Sequence, residues 1–228
     1  MQISTGQAFT SWNERMVQKY DPDLYHHHKN PVIRWIEQKR VSTIIGYLHA
    51  GPEDRILEVG CGAGNIVDQV PTGRLHGTDL SKFILTKAQC RLSSRVSLTR
   101  AAGEMLPYRD ACFDKVYCSE VLEHVIDPDR IVAEMIRVLK PCGTLILSIP
   151  NEHLIDRIKS LIAMTGFYRQ IFSSDGYESP RVNEWHLHRF DKKHLQRLVG
   201  DRLVWKRIRC IPFAILPFRL VAVLHKPK

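Results

Sequence analysis

The sequence predicts an α/β fold in which a mostly parallel sheet carries helices on both faces. Three observations predict it. Short apolar runs alternate with amphipathic stretches between residues 56 and 149. A glycine-rich turn follows the first of those runs. The last two apolar runs are joined by too few residues for a parallel crossover, so they should pair antiparallel. A chain of 228 residues, 44% of them hydrophobic, is long enough for one domain with its own core.

Each element has a local cause. Residues 1–50 read as a helical, aromatic-rich N-terminal cap with Trp12, Tyr20, Tyr25 and Trp35. Pro31 can open a helix that carries Ile33, Ile36, Ile44, Ile45 and Leu48, and Gly51-Pro52 stops it. Ile56–Val59 is a short buried strand and Leu75–Thr78 a second, after which Ser81 caps a helix to about Leu92. Val96–Thr99 and Phe113–Cys118 are the third and fourth strands. A helix over Pro128–Leu139 places Ile131, Met135, Ile136 and Leu139 on one face. The turn Lys140-Pro141-Cys142-Gly143 ends it, and Thr144–Ile149 is the fifth strand. Beyond Pro150 the rhythm changes. A helix near Leu154–Ala163 leads into a polar, aromatic stretch read as an insertion over the sheet's carboxyl edge. A helix at Lys192–Val199 and strands near Leu203–Ile211 and Phe218–Leu224 complete the chain. The expected divisions are a cap (1–50), a core (51–150), a lid (151–190) and a C-terminal part (191–228) of one domain.

Composition narrows the function classes. The net charge of +9 points to nucleic acid, an anionic membrane or an acidic small substrate, or else to a merely basic surface. The basic residues are dispersed, with one denser group at Arg202, Lys206, Arg207 and Arg209, and no RNA-binding module is recognisable. The six cysteines form no C-x-x-C pair, which argues against zinc and suits a reducing compartment. The first residues lack the apolar core of a signal peptide, and Ile211–Leu224 is too short and interrupted to span a bilayer. A cytoplasmic location is the expectation. His26-His27-His28 reads as a polar loop before a helix.

The sharpest chemical signal is ILEVGCGAGN at residues 56–65. An apolar strand ends in Glu58, then Gly60, Gly62 and Gly64 let the backbone turn tightly and approach a ligand. The spacing is G-x-G-x-G, not the G-x-G-x-x-G of dinucleotide enzymes, which disfavours an NAD-dependent oxidoreductase. The second signal is GTDLS at 77–81, where Asp79 lies 21 positions after Glu58. A carboxylate at that strand end can accept hydrogen bonds from both hydroxyls of a ribose. Alone it would read as a helix cap; beside the glycine turn it reads as a nucleoside site.

With AAGEMLPY, FDKVYCSEVLEHVIDP and EMIRVLKPCGTLILSIPNE following in order, the chain resembles class I S-adenosylmethionine (SAM)-dependent methyltransferases of the kind found in ubiquinone and menaquinone biosynthesis. The resemblance covers about residues 55–152 and weakens towards the C-terminus. It implies a seven-stranded Rossmann-like sheet with an antiparallel last strand, SAM as methyl donor and S-adenosylhomocysteine as product. It implies that Gly60, Gly62 and Gly64 line the cofactor and that Glu58 orients the loop or the methionine amine. It assigns the ribose to Asp79, the adenine to Leu80 with Gly103, Glu104 and Met105, and the methionine end to Ser119. One position departs from the pattern: relatives commonly carry Asp where Ala102 stands, so the adenine amino group needs another partner here.

SAM carries an activated methyl group, so the protein must align an acceptor with it and exclude water. A base helps when the acceptor is a hydroxyl. If Ser119–His124 is helical, Glu120, Glu123 and His124 share a face and supply a base or a weak divalent-cation site. Some ubiquinone-type O-methyltransferases use a divalent ion here, although no metal is assigned. His124, Glu120 and His186, the last in EWHLHRF, are the catalytic candidates, with His188 beside them. The aromatics Phe167, Tyr168, Phe172, Tyr177 and Trp185 suit either a wall for an apolar acceptor or the core of the lid. The expected function is methyl transfer to a small hydrophobic, lipid-like or quinone-like acceptor, at oxygen. IPFAILPFRL offers a peripheral lipid contact. An RNA methyltransferase and a catalytically silent SAM-binding module are the alternatives.

Overall fold

The computed structural model describes residues 6–92, 94–164 and 184–228. The strands are β1 (Arg55–Val59), β2 (Arg74–Asp79), β3 (Val96–Arg100), β4 (Phe113–Ser119), β5 (Leu139–Pro150), β6 (Val204–Phe213) and β7 (Leu216–His225). They form one sheet in the order β3-β2-β1-β4-β5-β7-β6. The first five run parallel, whereas β7 is antiparallel to both β5 and β6. This is the α/β sheet the sequence predicts, with the reversed strand where the short final connection places it.

The helices are α1 (Gly6–Tyr20), α2 (Asp23–His26), α3 (Pro31–Leu48), α4 (Lys82–Arg91), α5 (Pro128–Val138), α6 (Glu152–Met164) and α7 (Lys192–Val199). Their ends obey local chemistry. Asn30 accepts the Val32 N–H at 2.9 Å ahead of Pro31, and Asp127 and Asp191 cap α5 and α7 in the same way. On one face of the sheet, Ile131, Val132, Met135, Leu195 and Leu198 of α5 and α7 share a core with Leu57, Val116 and Leu145. On the other face, Val41, Ile44 and Leu48 of α3 pack with Ile56, Ile146, Ile211 and Val221.

Two local expectations are corrected. Residues 140–143 are a bulge inside β5 rather than a turn before it. The pairing of β4 with β5 jumps from Phe113↔Leu139 to Lys115↔Thr144, and Cys142 takes φ 62°. The Cys142 N–H bonds to the Lys226 carbonyl at 3.1 Å and the Lys226 N–H to the Gly143 carbonyl at 3.0 Å, so sheet pairing recovers a segment that reads locally as a turn. The glycine run after β1 reads as a turn into a helix start, but it leads to a single 3₁₀ turn at Val67–Gln69.

The topology positions the site. The chain winds outward from β1 through β2 to β3, then returns to the other side of β1 as β4. The carboxyl ends of β1 and β4 therefore flank a crevice at the point where strand order reverses, the standard ligand position in such sheets.

Candidate active site

A cavity of about 330 Å³ opens at that crevice, lined by Glu58, Gly60, Gly62, Asp79, Leu80, Gly103, Glu104, Ser119, Glu120, His124 and His186, among others. The structure thus gathers nearly all the site residues expected from sequence. Two stand apart. Met105 is 72% exposed, outside the cavity wall. Gly64 lies behind the turn, where a Cβ would come 2.6 Å from the Leu92 side chain.

The turn itself needs glycine for two distinct reasons. Gly60 has φ 74°, and a Cβ there would meet Val121 Cγ2 at 2.3 Å. Gly62 has φ 52°, and the nearest atom to the place a Cβ would take is 3.9 Å away. Backbone conformation alone therefore demands glycine at that position, which lines the cavity. Two carboxylates hold the turn. Asp79 accepts the Gly62 N–H and the Ser81 N–H, each at 2.9 Å. Glu58 Oε2 accepts the Val67 N–H at 3.2 Å and the Tyr117 hydroxyl at 3.0 Å. Of the two roles expected for Glu58, this geometry is the loop-orienting one. Burial pushes the Glu58 carboxyl up to about 8. Asp79 is also raised by burial, opposed by the N–H groups of Ser81 and Gly62. Each Asp79 oxygen retains acceptor capacity for a ribose hydroxyl.

Beside Ser119 in the cavity wall sits a buried ion cluster. Arg40, 3% exposed, donates to Ser119 Oγ and pairs with Glu37 at 2.5 Å. Arg219 Nε lies 2.6 Å from Glu120 Oε2. Burial works against the Glu37 carboxylate, but Arg40 and Arg219 hold its pKa below the usual value. A signal was present: Glu37 and Arg40 interrupt the apolar stripe of α3, where a charged pair is costly to bury unless it has a task. His26 was also missed. It ends α2, lines the cavity and is lowered to about 4 by burial, so it is not the polar loop residue expected.

The catalytic candidates are arranged differently from the helical expectation. Glu120 adopts φ 55°, and its N–H extends the β4–β5 pairing by bonding the Ser148 carbonyl at 3.0 Å. Only a 3₁₀ turn, Leu122–His124, follows. Glu120, Glu123 and His124 therefore share no helical face. Glu120 turns to the Ser148 hydroxyl (2.9 Å) and Arg219. A left-handed non-glycine residue at this position is the kind of backbone strain that collects at working sites.

EWHLHRF folds back onto this turn. The Leu187 and His188 N–H groups bond the Glu123 carbonyl at 2.7 and 3.2 Å. The His124 ring stacks on Trp185 at 4.2 Å and meets His186 edge-on at 4.7 Å. His186 Nδ1 is hydrogen-bonded to Glu152 Oε1 of α6, a partner that sequence spacing could not name. His188 instead bonds the Ile126 carbonyl at 3.2 Å, away from the cavity. Burial, reinforced by His186, drops the His124 pKa to about 3 and keeps its ring neutral. The aromatics Phe167, Tyr168, Phe172 and Tyr177 lie outside the described residues.

One ligand atom from each of Glu123, His124 and His186 falls within 4.8 Å of the others. Glu123 Oε2 and Glu152 Oε2 are buried without a hydrogen-bond partner among the described residues. Nitrogen and carboxylate donors with an unmatched buried oxygen fit a divalent cation.

A glycine turn and an acidic strand end at the switch point of a sheet with a reversed last strand agree with the resemblance to class I SAM-dependent methyltransferases. Residues 57–147 match the family described as methyltransferase domain. A ubiquinone biosynthesis O-methyltransferase of Paraburkholderia phymatum is 33% identical over 135 residues, covering 56% of this chain and 54% of the relative. A glycine/sarcosine/dimethylglycine N-methyltransferase of Actinopolyspora halophila is 26% identical over 163 residues, covering 62% of this chain and 28% of the relative. The crystal structure of a SAM-dependent methyltransferase from Methanosarcina mazei superimposes with a TM-score of 0.62 at 22% identity, over 81% of this chain and 97% of that one. The alignments span between 28% and 58% of the length of the curated relatives.

Proposed function

We propose that this chain transfers the methyl group of SAM to a hydroxyl oxygen of a small, hydrophobic, lipid-like or quinone-like acceptor. The observation that carries the reading is the His186–Glu152 pair, which opens into the same cavity as the Gly60–Gly62 turn and Asp79. In this reading Asp79 receives the ribose hydroxyls, and Leu80, Gly103 and Glu104 enclose the adenine. Glu58 and Ser119 border the methionine end, with Arg40 facing its carboxylate. The acceptor occupies the end walled by His124, Trp185 and Ile155.

Glu152 accepts Nδ1–H of His186, which leaves Nε2 as a lone pair for the acceptor's proton. The acceptor oxygen attacks the methyl carbon, the C–S bond breaks, and the sulfonium becomes the neutral thioether of S-adenosylhomocysteine. His186 takes the proton, and Glu152 balances the imidazolium. His124, neutral and stacked, sets the ring plane of Trp185 and His186. A divalent cation held by Glu123, His124 and His186 would instead polarise the hydroxyl as a Lewis acid.

Other features agree with this setting. All six cysteines are unpaired, which agrees with a cytoplasmic location. Among the described residues no helix is long and apolar enough to cross a membrane. The test is incubation with isotopically labelled SAM and cell extract, followed by mass spectrometry. Label should appear in an apolar hydroxyl-bearing metabolite, and His186→Ala should slow its formation by about 10²–10⁴-fold with SAM affinity unchanged. Label in RNA would support the nucleic-acid alternative. Binding without product would mark a silent module. Undiminished turnover in His186→Ala would remove this histidine from the mechanism.

A further inference from the structure

We propose that the tip of the β6–β7 hairpin and the adjoining stripe of α3 form a docking surface for an anionic lipid bilayer. Phe213, Ile215 and Leu216 are 51%, 91% and 40% exposed at the hairpin tip. Beside them on α3, Trp35 and Val32 are 42% and 60% exposed, three residues apart and so on one side of the helix. The two elements meet: the Trp35 and Phe213 rings are 5.7 Å apart. Solitary exposed apolar residues are ordinary, but five converging on one protruding tip are not.

The charge around the tip decides what it meets. The Lys39 ammonium lies 5.2 Å from the Trp35 ring and 5.1 Å from the Phe213 ring. Arg207 sits 5.5 Å from the Tyr47 ring of α3, and Arg209, two residues on, shares its side of β6. Arg34, Arg207 and Arg209 are exposed, and neither they nor Lys39 forms an ion pair with a described residue. No Asp or Glu occurs after Asp201, and Glu37, the one acid of α3, is buried against Arg40. An apolar tip with the Lys39 ammonium over its rings and Arg34 beside Trp35, backed farther along β6 by Arg209 and Arg207, is an arrangement that inserts side chains among acyl chains while cations meet anionic headgroups.

Other occupants fit less well. A second copy would bring like charges together, and Lys206, Arg207 and Arg209 along the edge strand oppose strand-to-strand pairing. Nucleic acid would leave Ile215 in water. The surface also adjoins the active site. Ile33, next to Val32, and Arg219, paired with Ile211 across the hairpin, both line the cavity. A docked tip would hold the cavity mouth near the bilayer, where an apolar acceptor resides. The docking itself does not depend on which acceptor is methylated.

The test is co-sedimentation of the full chain with phosphatidylcholine vesicles, with and without phosphatidylglycerol. Binding should require phosphatidylglycerol and weaken with added salt. Charge removal in Lys39→Gln and Arg34→Gln, the cations beside the tip, should each weaken partitioning about fivefold, and Arg207→Gln, farther along β6, by less. The double change Phe213→Ser with Ile215→Asp should weaken it about tenfold or more. SAM affinity measured by calorimetry should be the same in all variants, which shows that they fold. Absence of binding to phosphatidylglycerol vesicles overturns the proposal. So does a solution dimer that Ile215→Asp dissociates, since the tip would then be a self-contact.

Discussion

At the scale of single residues, the site is built from ionisable groups kept where charge is unfavourable. Glu58 is the clearest case. Its carboxyl, normally near 4.5, is moved to about 8 by burial, so it stays protonated in the native chain at pH 6 and ionises when the chain unfolds. The native state then binds the extra proton, and stability falls as pH rises from about 4.5 through 8. Glu58→Gln keeps an acceptor for the Val67 N–H but cannot ionise. Thermal unfolding of the SAM-free protein across this range should show a flatter decline for the variant, with a gain near pH 8 on the order of a few kcal/mol at most. Parallel curves for the two proteins would mean that Glu58 does not titrate in this window. The residues legible from sequence were those whose type alone carries the chemistry: Gly60, Gly62 and Asp79. Glu152 and His26 were not legible, because their roles come from neighbours far away in the chain, and Arg40 showed only as a charge in the apolar stripe of α3.

At the scale of elements, the N-terminal helices cover one side of the cavity. Phe9, Asn13, Val17 and Tyr20 of α1 line the cavity. The cover is fastened by polar contacts. Glu14 accepts the Lys82 and Phe83 N–H groups at 3.1 and 2.9 Å, adding a second acceptor to the Ser81 cap of α4. Asp21 pairs with Lys87 at 2.5 Å, and Asp23 with Arg91 at 2.9 Å. A carboxylate at a helix N-terminus contributes about 0.3–1 kcal/mol. Glu14→Ala should therefore lower stability by roughly that amount and speed SAM dissociation several-fold in a stopped-flow displacement experiment, because α1 loses its anchor beside the cavity. An unchanged dissociation rate would show that α1 does not gate the cofactor. Periodicity predicted a helix at α3 and a helical region before it, but no pattern in residues 1–50 stated which strand ends they would cover.

For the whole molecule, the strand order places both halves of the site on one crevice. A ligand bound there contacts β1, β2, β4 and α1 together, so binding should stabilise the entire unit. At a SAM concentration about a hundredfold above Kd the gain is about 2.7 kcal/mol, or roughly 5–10 °C in Tm for a domain of this size. NAD should give no shift. An equal shift with NAD, or none with SAM, would contradict the assignment of the cradle.

By itself the sequence determined the alternation of strands and helices, the reversed last strand, the glycine turn and the acidic strand end. All of these depend on near neighbours: apolar periodicity, connection length and the conformations open to glycine. Tertiary structure alone decided the rest. It threaded residues 140–143 into β5, drew Glu120 off any helix, seated His124 between Trp185 and His186, and joined His186 to Glu152. Those outcomes rest on pairings between residues 28 or more positions apart in most cases, such as Ser148 with Glu120. Burial then sets their charge states, and burial is a property of the assembled fold rather than of any segment.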